Sequence, residues 1–265
     1  MSRWRATASQ IWPRVAIVLV VIALWALISG TGLVSSRDLP SPASAWSALT
    51  AHFSGGDGLL VGAERSTLRL LIGLLAAIVV GTPVGLAMAA WRPVQRSLGT
   101  LIVGLQAIPP IAWLPLAILW LDLTERAVTF VVVIGAFPAV AVATAAAVRL
   151  VPPSLVRSAR TLGARGSALY RNVVLPAAFP GYVAGLQQAW AIAWRALLAA
   201  ELVVIGAHGL GHLLARASEV AGPAVDTPLV IATMAVIMVV GVAIDALFAV
   251  VDRRVRRKRG LLLPG

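Results

Sequence analysis

The sequence predicts an all-α integral membrane protein: six transmembrane helices, with a short cytoplasmic helix between spans four and five. Three observations predict it. Apolar residues make up 60% of the 265-residue chain and charged residues 12%, against roughly 45–50% and 25% in soluble domains. A soluble fold of this length could not bury so much apolar surface. Six stretches approach the ~20 apolar residues that a helix needs to cross ~30 Å of hydrocarbon. The arginines collect in alternate connections between those stretches.

The spans are Val15–Val34, Leu68–Trp91, Leu98–Leu121, Ala127–Val148, Tyr182–Gly206 and Leu229–Val251. The first exceeds the ~7–15 residues of a signal-peptide core, so it is expected to remain as a span. With the N-terminus in the cytoplasm, inside segments carry 16 of the 22 Lys+Arg and outside segments 5. This positive-inside bias puts both termini in the cytoplasm. Residues 1–14 are then a cytoplasmic tail, 15–251 one membrane domain and 252–265 a basic cytoplasmic tail. Trp12, Trp91 and Trp120 stand at span ends, where amphipathic rings favour the headgroup layer.

Composition also excludes functions. The net charge of +12 invites a nucleic-acid reading, but the charges lie in short stretches between apolar runs, so no nucleic-acid partner is expected and membrane lipid is. There are no cysteines, hence no disulfide or thiolate metal site. The single lysine, Lys258, follows no glycine-rich turn, so the chain lacks a phosphate-cradling P-loop. No catalytic triad spacing is present. His208 and His212 stand four apart, but three nearby glycines argue against a helix there, and no metal is expected.

Two connections carry local structure. Outside, Ser41-Pro42 is a helix start, and Trp46, Leu49 and Phe53 follow at helical spacing. Inside, the loop 149–181 reads as two short helices with a turn. Pro152-Pro153-Ser154 starts the first, with Leu155, Ala159 and Leu162 along one side. Gly163 breaks it and lets backbones approach closely. The second, Ser167 to Val174, ends at Leu175-Pro176. Spacing alone equally allows a basic segment lying on anionic lipid.

Within this loop, Arg157-Ser158-Ala159-Arg160-Thr161-Leu162-Gly163, nine residues, then Val173-Val174-Leu175-Pro176 resembles the EAA loop of permease subunits in binding-protein-dependent ABC importers. The glycine and Leu-Pro spacing matches. Arg157 stands where the family has glutamate. Leu39-Pro40-Ser41-Pro42, Ser66-Thr67-Leu68-Arg69, Pro109 to Leu116 with Leu119-Trp120, and the region from Trp194 to Gly211 resemble the sulfonate/nitrate/taurine branch. The resemblance implies a permease subunit of the bacterial inner membrane. Its loop would act as a coupling helix on a separate cytoplasmic ATPase. That partner would hold ATP and Mg, and this chain no cofactor. A second copy of the chain and an extracytoplasmic substrate-binding protein would complete the importer, with a small solute: first a sulfonate, nitrate, taurine or similar anion, next a pyrimidine-type or other small nutrient. The alternative is a secondary transporter or channel without an ATPase, against which no inverted repeat is visible.

Polar and broken positions inside spans mark the expected pathway, because charge in a bilayer is costly. Span five holds Gln187, Gln188, Arg195 and Glu201; span three holds Gln106, Pro109, Pro110 and Trp113. Arg195 either attracts an anion by bidentate bonding or pairs with Glu201, an awkward pairing across ~240° of helix. Asp245 is expected to snorkel toward inner arginines. Gly81 and Gly85, and Gly181 and Gly185, have small-xxx-small spacing, suited to close contact within the chain or between copies.

Overall fold

The computed structural model describes residues 2–32, 34–204, 207–219 and 225–258. Among these, regular structure is entirely helical. The ends of the expected tail, 259–265, and of span five, Gly206, lie outside the described residues. The chain divides into two compact units, Met1–Gly62 with Leu213–Ile237, and Ala63–His212 with Met238–Gly265.

In the first unit, helix α1 (Ser2–Gly30) starts well before the expected Val15 and carries Pro13 in its interior. The Trp25 indole N–H donates to the Pro40 carbonyl at 2.9 Å. Helix α2 (Pro42–Ala51) begins where Ser41-Pro42 places it. The Ser41 hydroxyl accepts from the Ser44 N–H, satisfying one of the unpaired first-turn donors.

The second unit is built around α6 (Glu125–Arg149). Of its most apolar 18-residue window, 61% is buried, against 33% for α3 (Leu59–Ala90) and none for α11 (Thr227–Lys258). Small residues let the neighbours come close. A Cβ at Gly81 would sit 2.9 Å from the Phe137 carbonyl, and one at Gly85 would strike Ala141 and Thr144, all on α6. Gly185, on α9 (Leu175–Val203), would strike Ala143. Both glycine pairs are therefore used within the chain, α3 and α9 each packing on α6.

Span three is not one helix. It is α4 (Arg92–Ala107), a 3₁₀ turn (Pro110–Trp113) and α5 (Leu114–Leu121), bent by 97° at the break. Pro109 and Pro110 give no N–H to the helical ladder, so the helix cannot continue through them. Asp122 then takes a positive φ of 59° with an extended ψ of −174°, a backbone conformation that side-chain-bearing residues rarely adopt, and closes α5. Among the described residues, three helices, α3, α6 and α11, are able to cross a membrane by length and apolar content, and a fourth if the bent pair counts as one span. The apolar part of α1 is the shorter Val15–Gly30. Helix α9 has the length, but Gln187, Gln188, Arg195 and Glu201 reduce its apolar content.

Candidate functional site

The bend in span three opens a cavity of about 790 Å³ against α6 and α9. Its wall is mostly apolar, with Ile108, Ile134 and Ile192 among the lining residues. The polar groups are Gln106 at the end of α4, Trp113 in the 3₁₀ turn, and Gln188 and Arg195 on α9. Gln188 and Arg195 are seven residues apart, which returns them to one face of a helix after about two turns. Gly135 is what brings the bend against α6: a Cβ there would lie 2.9 Å from the Pro110 ring.

Of the residues expected on the pathway, the structure gathers Gln106, Pro110, Trp113, Gln188 and Arg195 around this one space. Pro109, Gln187 and Glu201 do not line it. Arg195 has no carboxylate partner among the described residues, so it is not paired with Glu201.

Glu201 is fully buried and belongs to a separate network. It forms an ion pair with Arg69 of α3. It accepts hydrogen bonds from the Ser66 hydroxyl, at 2.8 and 3.0 Å, and from the Gly211 N–H at 3.0 Å. Ser66 also accepts from the Leu210 N–H at 2.9 Å, and Arg69 reaches Glu125 at the start of α6 at 2.8 Å. A buried carboxylate is tolerable only with such compensation. The network ties α3, α6 and α9 to the first turn of α10 (Leu210–Glu219). Gly209 packs directly on the Glu201 carboxylate, where any side chain would collide.

The role of Arg69 was missed by reasoning along the chain. The available signal was depth: a lone carboxylate near the C-terminal end of span five needs a cation at the same level, and Ser66 and Arg69 share a face of α3 at i, i+3.

Helix α10 takes in His212 where no helix was expected, while His208 lies in the non-helical stretch before it. The glycines allow tight packing on Glu201 without preventing helix from Leu210 onward. The two imidazole rings stand 5.4 Å apart, and among the described residues no group of three metal-ligating side chains occurs. Asp245 likewise differs from expectation, since it accepts a hydrogen bond from the Trp190 indole at 3.0 Å.

The loop 149–181 forms α7 (Pro153–Thr161), a turn, and α8 (Gly166–Leu169). The buried stripe of α7 is Val156 and Ala159, packed on Leu169, Val174 and Ala178. Leu155 is exposed, and Leu162 is 88% exposed at the tip, so neither lies on the stripe with Ala159. Arg157, Ser158, Arg160 and Thr161 also face outward. Gly163 has φ +91° with nothing within 4 Å of an added Cβ. Within this chain it is needed for the left-handed turn, not for a close backbone approach.

Leu175-Pro176 does not end the second stretch. A π turn over Tyr170–Val174, the segment carrying Val173, joins α8 to α9 without a break. The Leu175 N–H reaches the Tyr170 carbonyl. This wider turn relieves the clash of the Pro176 ring with the carbonyl one turn earlier.

An all-helical unit with a central buried helix, a broken span beside a polar-tipped cavity and a surface helix closed by Gly163 is a fold with solved counterparts. Two solved structures of inward-facing conformations of the MetNI methionine ABC transporter share this fold. One has a TM-score of 0.65 at 20% identity, covering 74% of this chain and 95% of that one. The other scores 0.56 at 22% identity, covering 72% and 96%.

The chain belongs to the family described as the binding-protein-dependent transport system inner membrane component, which it matches over residues 73–257. A Methanocaldococcus jannaschii protein named as an ABC transporter permease is 33% identical over 88% of this chain and 86% of its own length. The taurine transport system permease protein TauC of Escherichia coli is 28% identical over 95% and 92%. The bicarbonate transport system permease protein CmpB of Synechocystis is 28% identical over 80% and 78%. This chain is accordingly an ABC importer permease, a transport subunit.

Proposed function

We propose that this chain is the six-span permease subunit of an ATP-driven importer for a small organic or inorganic anion, working as two copies. Each copy docks a separate cytoplasmic ATPase, which holds ATP and Mg, through α7, and receives solute from an extracytoplasmic binding protein. Residues 15–251 form the membrane domain, both termini are cytoplasmic, and the membrane is the bacterial inner membrane. The solute passes the cavity that Gln106, Gln188 and Arg195 line. The taurine and bicarbonate systems among the relatives support a small anion as the solute class.

The observation that carries the reading is the tip of α7. A short helix is anchored by Val156 and Ala159 while Leu162 stands 88% exposed beside a left-handed glycine. A rigid apolar knob on a basic loop suits insertion into a groove of a partner protein better than lying in water.

Affinity purification of the tagged chain from its native membranes, with mass spectrometry of stoichiometric partners, tests this. The expected result is a co-purifying P-loop ATPase that the Gly163→Asp variant loses while still inserting into the membrane. A partner-free chain that transports on an ion gradient alone would overturn the reading in favour of a secondary transporter.

A further inference from the structure

We infer that the seam between α4 and α6 holds a second cavity built to bind an oxyanion, either a free one or the phosphoryl group of a lipid headgroup. The cavity measures about 530 Å³ and lies against the end of α3 at Met88. Gln95 and Arg96 reach it from α4 and Arg149 from the last turn of α6, and no carboxylate lines it. Among the described residues, neither arginine has an acidic partner within ion-pair distance.

Arg96 and Arg149 both stand exposed along this open, largely apolar groove, and two guanidinium groups flanking one space favour an anion between them. Of the two, Arg149 is held in place by a backbone carbonyl. One N–H of Arg149 donates to the Met88 carbonyl at 2.7 Å, a carbonyl in the last turn of α3 that lacks a helical partner. The remaining N–H groups of its fork have no partner among the described residues. The Thr100 hydroxyl is spent on the Arg96 carbonyl at 2.9 Å. The donors left for a ligand are therefore the two forks and the Gln95 carboxamide, a set that matches two or three oxygens of a sulfate or phosphoryl group. Val142 lines both this cavity and the larger one, so the site lies on the same helical seam. The inference stands on this cavity and not on the identity of the transported solute.

The absence of cysteine makes a clean test possible. A Thr100→Cys variant, purified with the partners it retains, is placed in nanodiscs of neutral phosphatidylcholine. Its rates of modification by anionic and cationic methanethiosulfonates of equal size are then compared. The anionic reagent should react faster by about tenfold. Adding Arg96→Gln should reduce that preference severalfold, since the Arg96 side chain makes no hydrogen bond within the described structure. Gly99→Cys, whose Cβ meets only ordinary contacts, 3.5 Å from Met88, is a second reporter should the first fail to fold.

Saturable slowing by added sulfate would identify a free oxyanion as the ligand. Slowing only on incorporation of phosphatidylglycerol would identify a headgroup. Either result supports the site. Equal rates for the two reagents, or a preference that neither sulfate nor phosphatidylglycerol diminishes, would overturn it. The measurement involves no transport, so its failure leaves the importer reading untouched, and the reverse holds too.

Discussion

Arg195 and Glu201 lie six residues apart on one helix and do unrelated work. Glu201 is enclosed by Arg69, Ser66 and Gly211, while Arg195 borders a cavity with no acidic partner among the described residues. Removing one member of a buried ion pair strands the other charge and costs about 3–5 kcal/mol. Glu201→Ala should therefore lower the thermal unfolding temperature of the detergent-purified protein markedly. Arg195→Gln should leave it unchanged and instead reduce uptake, by about tenfold if one charge-assisted hydrogen bond is lost. Equal destabilisation by both variants would mean that Arg195 is structural and the cavity reading wrong.

At the scale of elements, glycine has two different physical uses here, and the two should respond differently to substitution. Gly85 is a packing position, because a Cβ there would strike Ala141 and Thr144 on α6. Overpacking of this kind costs about 1–3 kcal/mol. Gly104 on α4 has open space around it. Gly85→Val should thus lower the unfolding temperature while Gly104→Val leaves it nearly unchanged. A tolerated Gly85→Val would show that α3 and α6 can separate without loss. Gly163 is conformational, and placing alanine at its positive φ costs about 1–2 kcal/mol locally, a strain confined to the α7 turn.

At the scale of the whole molecule, the bend at Pro109-Pro110 decides the topology. If α4 and α5 together cross the bilayer, the turn after Asp122 is external and both termini are cytoplasmic. If the pair returns as a re-entrant loop, every later segment changes sides. The arginine distribution favours the first. Reporters fused after Asp122 and at the C-terminus should read external and cytoplasmic respectively. A cytoplasmic reading at Asp122 with an external C-terminus would establish the re-entrant loop.

The chain alone was sufficient for the membrane environment, the all-helical class, the Ser41-Pro42 start of α2, the Pro152-Pro153 start of α7 and the family, because hydropathy, proline chemistry and motif spacing each act within one continuous stretch of about 20 residues or fewer. The same local signals misjudged Leu175-Pro176, where a π turn absorbed the proline. They also misjudged the glycines before α10, which serve the approach to Glu201 and do not end a helix. Tertiary structure alone decided that Arg69 and not Arg195 neutralises Glu201, that Trp190 holds Asp245, and which five expected pathway residues share a cavity. Partners 132 residues apart, as Arg69 and Glu201 are, meet only when helices pack. Periodicity can say which face of a helix is polar, whereas the depth and neighbours of that face belong to the packed bundle.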